Sequence, residues 1–285
     1  MSAPRYRNND QKEFAKDFDI LCRTRARYQV WSDFVHMAAY SISNAVDETH
    51  REARESEYLK IAKGYNSVEL EAVARLLSTT VIALEDNPDQ DFLGELYMSL
   101  ELGNSNTGQF FTPYCVGKMM AEMNVDKAIS DVERNGYASV MDCCVGGGAL
   151  LLGFANACKE KGLNYQQSVV FVAQDIDHTV GMMAYIQLSL MGCPGYVVIG
   201  NSLTEPLQGD PLFAPMERET YVTPFYCSEE WRTKRLLHAL GIAKIANSKT
   251  PCVNHSKQAE ELKQEKIYAP IQLSIFDTIE QGVKT

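Results

Sequence analysis

A glycine turn and an acidic residue downstream of it have the residue types and spacing of a ligand site. The turn reads Asp142-Cys-Cys-Val-Gly146-Gly147-Gly148-Ala149. Glycines let a ligand approach bare backbone and can adopt positive φ angles, and a helix that follows such a turn offers unpaired N–H groups. A tight connection that binds nothing is the alternative reading of a glycine turn taken by itself.

Asp175 is the acidic residue that would complete this site. It follows the strand-forming run Ser-Val-Val-Phe-Val-Ala at 168–173. In doubly wound sheets ligands lie beyond the carboxyl ends of the strands, where a carboxylate can accept hydrogen bonds from both hydroxyls of a ribose. Asp175 is therefore predicted to bind a ribose, with a simple turn residue as the alternative. Asp177 is predicted to be the N-cap of the next helix.

Three short strands and two helices are predicted to position these groups. The strands cover 137–141, 168–173 and 196–199, and the helices cover 150–158 and about 178–191. Each connection between strands has crossover length, which predicts a parallel sheet with helices packed on its faces, and hence an α/β fold.

A second segment, Gly108-Gln-Phe-Phe-Thr-Pro113, precedes the turn. Together the two segments resemble the adenine-specific amino-methyltransferases, particularly the modification subunits of type I restriction systems. That family carries Gly-Gln-Phe-Phe-Thr-Pro and then Asp-Pro-Ala-Cys-Gly-Ser-Gly-Gly. The first motif matches in full, whereas the second matches at Asp142, Gly146 and Gly148 and departs from the family at positions 143–145, 147 and 149.

The resemblance implies a class I S-adenosylmethionine-dependent methyltransferase fold, which is Rossmann-like, with an all-helical N-terminal subdomain. It also implies a restriction-modification-like function in DNA methylation. Asn201 stands after the third strand where the family usually has aspartate, and its carboxamide oxygen could accept a hydrogen bond from the adenine amine of the cofactor. The residues implied to bind S-adenosylmethionine are Phe110, Phe111, Thr112, Pro113, Asp142, Gly146, Gly148, Asp175 and Asn201.

The catalytic motif of the resembled family is missing from this chain. In the family, Asn-Pro-Pro and an aromatic residue hold the flipped adenine and accept hydrogen bonds from its exocyclic amine. No Asn-Pro-Pro occurs among the 285 residues. The nearest candidate is Thr223-Pro224-Phe225-Tyr226, inside the strand-like run 221–227. This segment is either a degenerate catalytic loop or an ordinary strand with a proline at its edge.

Three regions are predicted along the chain. Residues 1–103 form a helical subdomain with one or two long helices between 5 and 58 and a capping box at Asn66–Glu69. Residues 104–246 form the methyltransferase-like domain, which ends in a basic helix over 229–246. Residues 247–285 form a polar tail. The further strands that complete this fold are not found, so the sheet is predicted to be truncated, with an edge covered by a partner or a second copy.

Composition limits the partners and the compartment. The net charge of −10 is unusual for a DNA-binding protein, although two basic clusters, Arg23 to Arg27 and Arg232 to His238, are either DNA contacts or solvated faces. Sequence specificity would come from a separate specificity subunit. The eight cysteines are predicted to be reduced, buried thiols, and no metal site is predicted. No membrane span or signal is found, so a cytoplasmic location is expected.

The tail carries Gln272-Leu273-Ser274-Ile275-Phe276. It resembles the short peptide with which bacterial polymerases and repair factors bind the sliding clamp. A flexible lead, a glutamine at the pocket rim and apolar anchors are what that interaction needs. Docking of these apolar residues on the chain's own domain is the alternative.

Two functions from different classes follow. The first is an adenine-specific DNA methyltransferase that transfers the methyl group of S-adenosylmethionine to the exocyclic amine of adenine, with Phe225 or Tyr226 stacked on the base. The second is a catalytically silent, cofactor-binding accessory or DNA-associated subunit. Methylation of protein or RNA is a third possibility.

Overall fold

The computed structural model describes residues 6–102 and 111–241. Five helices form the amino-terminal part: α1 (Asn9–Leu21), α2 (Arg27–Asn44), α3 (Arg51–Ala62), α4 (Ser67–Asp86) and α5 (Phe92–Ser99). The prediction of one or two helices before residue 58 was wrong in number, because the chain turns at 22–26 and at 45–50. These turns let the apolar stripes of α1, α2 and α4 pack against one another. The capping box at Asn66 and Glu69 is confirmed.

The second part of the chain alternates helices and strands. The helices are α6 (Tyr114–Glu122), α7 (Val125–Asn135), α8 (Ala149–Glu160), α9 (Tyr165–Ser168), α10 (His178–Leu190) and α11 (Glu229–Ala239). The strands are β1 (Ala138–Asp142), β2 (Val169–Asp175), β3 (Gly195–Ile199) and β4 (Thr220–Val222). The predicted N-cap Asp177 accepts a backbone N–H of α10, and Ser228 caps α11 in the same way.

The four strands form one sheet in the order β1-β2-β3-β4. The first three are parallel, as predicted, with Asp142 opposite Ala173 and Asp175 opposite Ile199. β4 runs antiparallel to β3 and stops after Val222. The strand-like run predicted over 221–227 is therefore too long, since Pro224 begins a turn and Phe225–Cys227 form a 3-10 helix.

Helix α10 forms the centre of the molecule. Nearly all its residues are buried, because it packs on β2 and β3 on one side and on α2 of the helical subdomain on the other. The opposite face of the sheet is covered by α11 and the loop before β4, around Val172, Leu212 and Trp231. The sheet and the amino-terminal helices therefore share a continuous apolar core.

Strand β1 lies at the outer edge of the sheet. In the part of the chain that the structure describes, it pairs only with β2, and Ser139 and Met141 are exposed. This open edge agrees with the predicted truncated sheet. The predicted boundaries 103/104 and 246/247 fall outside the described residues, and the described helices include none that is long and apolar enough to span a membrane.

Candidate functional site

The three parallel strands end side by side, next to the glycine turn. We call the row formed by their carboxyl ends, marked by Asp142, Asp175 and Ile199, the carboxyl edge. Gly146 and Gly148 have φ angles of 57° and 104°. Because a side chain is strained in this region, these positions need glycine as the sequence predicted. The turn is joined to the end of β2 by hydrogen bonds from Val145 N to Gln174 O (3.0 Å) and from Gly146 N to Asp175 Oδ2 (2.9 Å).

Phe111 brings the first motif to the same turn. A Cβ atom built on Gly146 would lie 3.4 Å from Phe111 Cδ1, and the Phe111 ring stacks on Tyr97 with a centroid distance of 5.2 Å. Phe111 of the first motif therefore lies next to the glycine turn. Thr112 and Pro113 are exposed beside Phe111, and Phe110 lies outside the described residues.

The carboxylates of Asp142 and Asp175 are close enough at this edge to repel each other. Burial raises the pKa of both carboxyls, and their mutual repulsion adds to the increase in the pKa of Asp142. Asp175 Oδ1 accepts a hydrogen bond from Asp177 N. Asp142 Oδ1 accepts from Cys144 N, whereas its buried Oδ2 has no hydrogen-bond partner within the described residues. An acceptor of this kind suits a ligand that carries hydroxyl or amine hydrogens.

Asn201 also lies at the carboxyl edge, directly after β3. Its side-chain oxygen accepts hydrogen bonds from Leu203 N at 2.9 Å and from Thr204 N at 3.4 Å. The oxygen therefore stabilises the turn that follows β3. This local role accounts for an asparagine at that position without a ligand.

The segment Thr223–Tyr226 does not join this site. Thr223 is fully buried, donates its hydroxyl to Cys193 O (2.7 Å) and accepts from Gly195 N (3.0 Å). Gly195 begins β3, four residues before the strand's carboxyl end, so the segment lies about 13 Å from that edge at roughly 3.3 Å per residue. The antiparallel course of β4 puts it there.

The environment of Tyr226 is that of a packing residue. Its hydroxyl donates to Leu212 O at 2.8 Å, and its ring lies under the Arg235 guanidinium. The segment borders a cleft of about 630 Å³ between the loop 45–49 and residues 222–228. This cleft lies at the end of the sheet where β3 begins, away from the glycine turn.

The two basic clusters are largely engaged within the protein. Arg25 pairs with Glu69, and Arg27 pairs with Asp19. In α11, Lys234 donates to Gln167 O and His238 contacts Asp210 Oδ2 at 2.6 Å. Arg23, Arg27 and Arg232 remain exposed, so each cluster keeps a solvated part.

The prediction of buried thiols was wrong for part of the set. Cys158 and Cys193 are buried, but Cys115, Cys143 and Cys144 are exposed. Cys143 and Cys144 are exposed because the glycine turn stands at the surface. All seven cysteines of the described residues are free thiols.

A histidine pair beside the carboxyl edge was missed by the sequence analysis. His36 Nε2 of α2 lies 2.7 Å from His178 Nδ1, and His178 Nε2 lies 2.6 Å from Glu219 Oε1. His36 Nδ1 also contacts the carbonyl of Ser32, and burial lowers the pKa of His36. The residues are far apart in the chain, so no spacing could indicate the pair.

Comparison with known proteins adds family information. The family profile described as N-6 DNA methylase matches residues 89–259. A solved structure, the type I restriction-modification system methyltransferase subunit from Streptococcus thermophilus, is 19% identical, with a TM-score of 0.37, and the similarity covers 72% of this chain. The similarity covers 46% of that subunit. No curated protein gives a match. Since the profile spans more than half of the residues, the chain belongs to the N-6 DNA methylase family.

Proposed function

We propose that the carboxyl edge binds S-adenosylmethionine and that the chain functions in N-6 adenine methylation of DNA. The observation that carries this proposal is the joining of Phe111, the glycine turn and Asp175 at one edge. Members of the N-6 DNA methylase family generally use this cofactor, and a bare-backbone turn flanked by two carboxylates fits its polar groups.

Each part of the edge is assigned a role in holding the cofactor. Asp175 accepts hydrogen bonds from the ribose hydroxyls, and the backbone at Gly146 and Gly148 passes beneath the cofactor. Asp142 supplies the buried carboxylate oxygen that needs a donor. Phe111, Thr112 and Pro113 line the methionine end. When bound, the cofactor supplies an electrophilic methyl group to the acceptor amine.

Two forms of this function differ in which polypeptide transfers the methyl group. In one, the chain itself methylates adenine in DNA. In the other, it is a cofactor-binding accessory subunit, and another polypeptide holds the base. The location of Thr223–Tyr226 at the opposite edge favours the second form, because a residue there is too far to aid the amine. The proposed partners are DNA and, in addition, either a specificity subunit or a second copy of this chain.

The tail peptide, Gln272, Leu273, Ile275 and Phe276, lies outside the described residues, and neither the comparisons nor the described structure supports clamp binding.

Calorimetric titration with S-adenosylmethionine tests the cofactor assignment. We expect the wild-type chain to bind and Asp175→Ala to bind at least about tenfold more weakly, since a hydrogen bond to a charged acceptor contributes roughly 1.5–3 kcal/mol. Asp126→Ala is the matched control, because Asp126 is an exposed carboxylate on α7. Lack of binding by the wild-type chain contradicts the proposal.

Transfer of labelled methyl from the cofactor to unmethylated DNA separates the two forms. Transfer by the purified chain, abolished in Asp175→Ala and retained in Thr223→Val, assigns the enzyme form without a role for the Thr223 hydroxyl. Binding without transfer favours either the accessory form or the lack of a specificity partner, and adding that partner distinguishes the two.

The affinity for S-adenosylmethionine is expected to fall as the pH is lowered from neutral through the raised pKa of Asp175. Burial raises the pKa of Asp175 above its ordinary value of 3.8, and only the ionised carboxylate accepts from both ribose hydroxyls. The ionised form is lost on passing downward through the raised pKa. Titrations across this range check the slope, which Asp175→Asn is expected to reduce. An unchanged slope in that variant excludes Asp175 as the titrating acceptor.

A further inference from the structure

A buried polar connection links the glycine turn to the helical subdomain. Gln187 of α10 is fully buried, and its Nε2 donates to Gly147 O and to Asp91 Oδ1, both at 2.7 Å. Its Oε1 accepts from Leu93 N at 3.1 Å. One side chain thus contacts the turn, the N-cap of α5 and the first turn of α5. Within the described residues, each polar group of the carboxamide has a partner.

Asp91 holds the other end of this connection. It is 3% exposed and is the N-cap of α5, where Oδ1 also accepts from Gly94 N at 2.9 Å. Burial raises the pKa of this carboxyl to about 6, although the hydrogen bonds from Gln187 and Gly94 oppose that increase. Burial of a carboxylate is costly without good partners. A cap alone could stand at the surface, so the burial indicates a second task.

The peptide unit between Gly147 and Gly148 is fixed at both ends. Its carbonyl accepts from Gln187, and its N–H donates to Val145 O at 2.9 Å. The turn is also pressed against α5, since a Cβ atom on Gly147 would lie 3.1 Å from Asp91 Oδ2 and from Gly94 Cα. Glycine peptides have wide conformational freedom, so these contacts select one orientation among many.

We propose that Asp91 and Gln187 are positioning residues that fix the glycine turn in its ligand-binding conformation. The expected effect on cofactor affinity rests on the proposed function, whereas the fixing of the turn does not. Binding to a preformed turn does not include the cost of ordering its backbone. Loss of the Gln187 contact is therefore expected to weaken binding, although Gln187 itself does not touch the ligand. Since Asp91 lies in the helical subdomain, the site includes that subdomain.

Gln187→Met tests the proposal, because methionine keeps the length of the side chain and removes both hydrogen-bonding groups. Asn156→Leu is the matched control: Asn156 is another buried carboxamide, which donates to Pro88 O, Leu152 O and the Tyr114 hydroxyl without contacting the turn. Asp91→Leu is the second disruptive variant, and Asp91→Asn is the conservative one, since its carbonyl oxygen still accepts from Gln187.

Two readouts are needed, one without ligand. Hydrogen–deuterium exchange of the peptide that covers 143–148 is expected to accelerate at least about tenfold in Gln187→Met and Asp91→Leu, and to stay near wild type in Asn156→Leu and Asp91→Asn. The dissociation constant for S-adenosylmethionine, measured where circular dichroism shows folded protein, is expected to rise about tenfold in the same two variants.

The outcomes separate this inference from the proposed function. Unchanged exchange in Gln187→Met overturns the positioning role, whether or not the cofactor binds. Faster exchange in a chain that binds no S-adenosylmethionine keeps the positioning role and rejects the cofactor. Equal losses of affinity in Gln187→Met and Asn156→Leu indicate a general loss of stability and also overturn the proposal. If Gln187→Met does not fold, the contrast between Asp91→Leu and Asp91→Asn decides.

Discussion

Arg54→Met is expected to lower the free energy of unfolding by about 3–5 kcal/mol, because it leaves a buried carboxylate without its main partner. Arg54 Nη1 donates to Asp47 Oδ2 at 2.7 Å and also bonds Ser43 Oγ, and Nη2 donates to Thr220 O at 2.8 Å. Its guanidinium stacks on Tyr221. One side chain therefore joins the α2–α3 region to the first residues of β4.

Electrostatics explain why the remaining carboxylate matters. Burial opposes ionisation of Asp47, but hydrogen bonds from His50 and Arg54 outweigh it, so its pKa lies below the ordinary value. Stability from this carboxylate is present above the ordinary pKa of 3.8 and is lost as the pH falls through the lowered one. Without Arg54, the Asp47 carboxylate keeps only the His50 side chain and the backbone N–H groups of Thr49 and His50 as partners within the described residues. Methionine also leaves Thr220 O without the Arg54 donor.

Urea unfolding at neutral pH measures the loss. Arg51→Met is the control, because Arg51 is exposed and donates only to Asn44 O in the described structure; its effect is expected to stay within about 0.5 kcal/mol. Combining Arg54→Met with Asp47→Asn is expected to restore part of the stability, since the unpaired charge is gone. A loss below about 1 kcal/mol in Arg54→Met contradicts the proposed anchoring role.

Gly195→Ala is expected to destabilise the protein by about 3 kcal/mol or more, through a backbone clash in the sheet. A Cβ atom at this position would lie 1.8 Å from Phe171 O and 2.7 Å from the Phe171 carbonyl carbon. No side-chain rearrangement relieves a contact with the neighbouring strand, so β2 and β3 must separate.

Gly162→Ala is the control for Gly195→Ala. Gly162 has a φ of 77° but no atoms within 4 Å of its built Cβ, so only backbone strain of about 1–2 kcal/mol is expected. Thermal and urea unfolding of both variants compare a steric clash with conformational strain. Similar losses for the two variants would show that Phe171 O can move away at little cost.

The glycine turn and the segment Thr223–Tyr226 lie at opposite ends of the strands. The glycine turn and Asp175 share the carboxyl edge, whereas Thr223–Tyr226 pack at the other end of β3. The open side of β1, with Met141 exposed, lies next to the turn rather than next to that segment.

The sequence by itself determined the local features of this protein. The caps at Asn66 and Asp177 and the positive φ angles of the glycine turn follow from short-range preferences, and the parallel direction of the first three strands follows from the crossover length of their connections. These features depend on hydrogen bonds within a few residues and on the alternation of apolar segments. Both are written directly in neighbouring residue types.

Only the tertiary structure decided which distant residues meet. The direction of β4 depends on long-range pairing with β3, so a sequence pattern could not place Thr223 away from the turn. The connection from Asp91 through Gln187 to Gly147 spans 96 positions in its first step and 40 in its second. Single polar residues in apolar helices carry no periodic signal, because their partners are selected by packing of the folded chain.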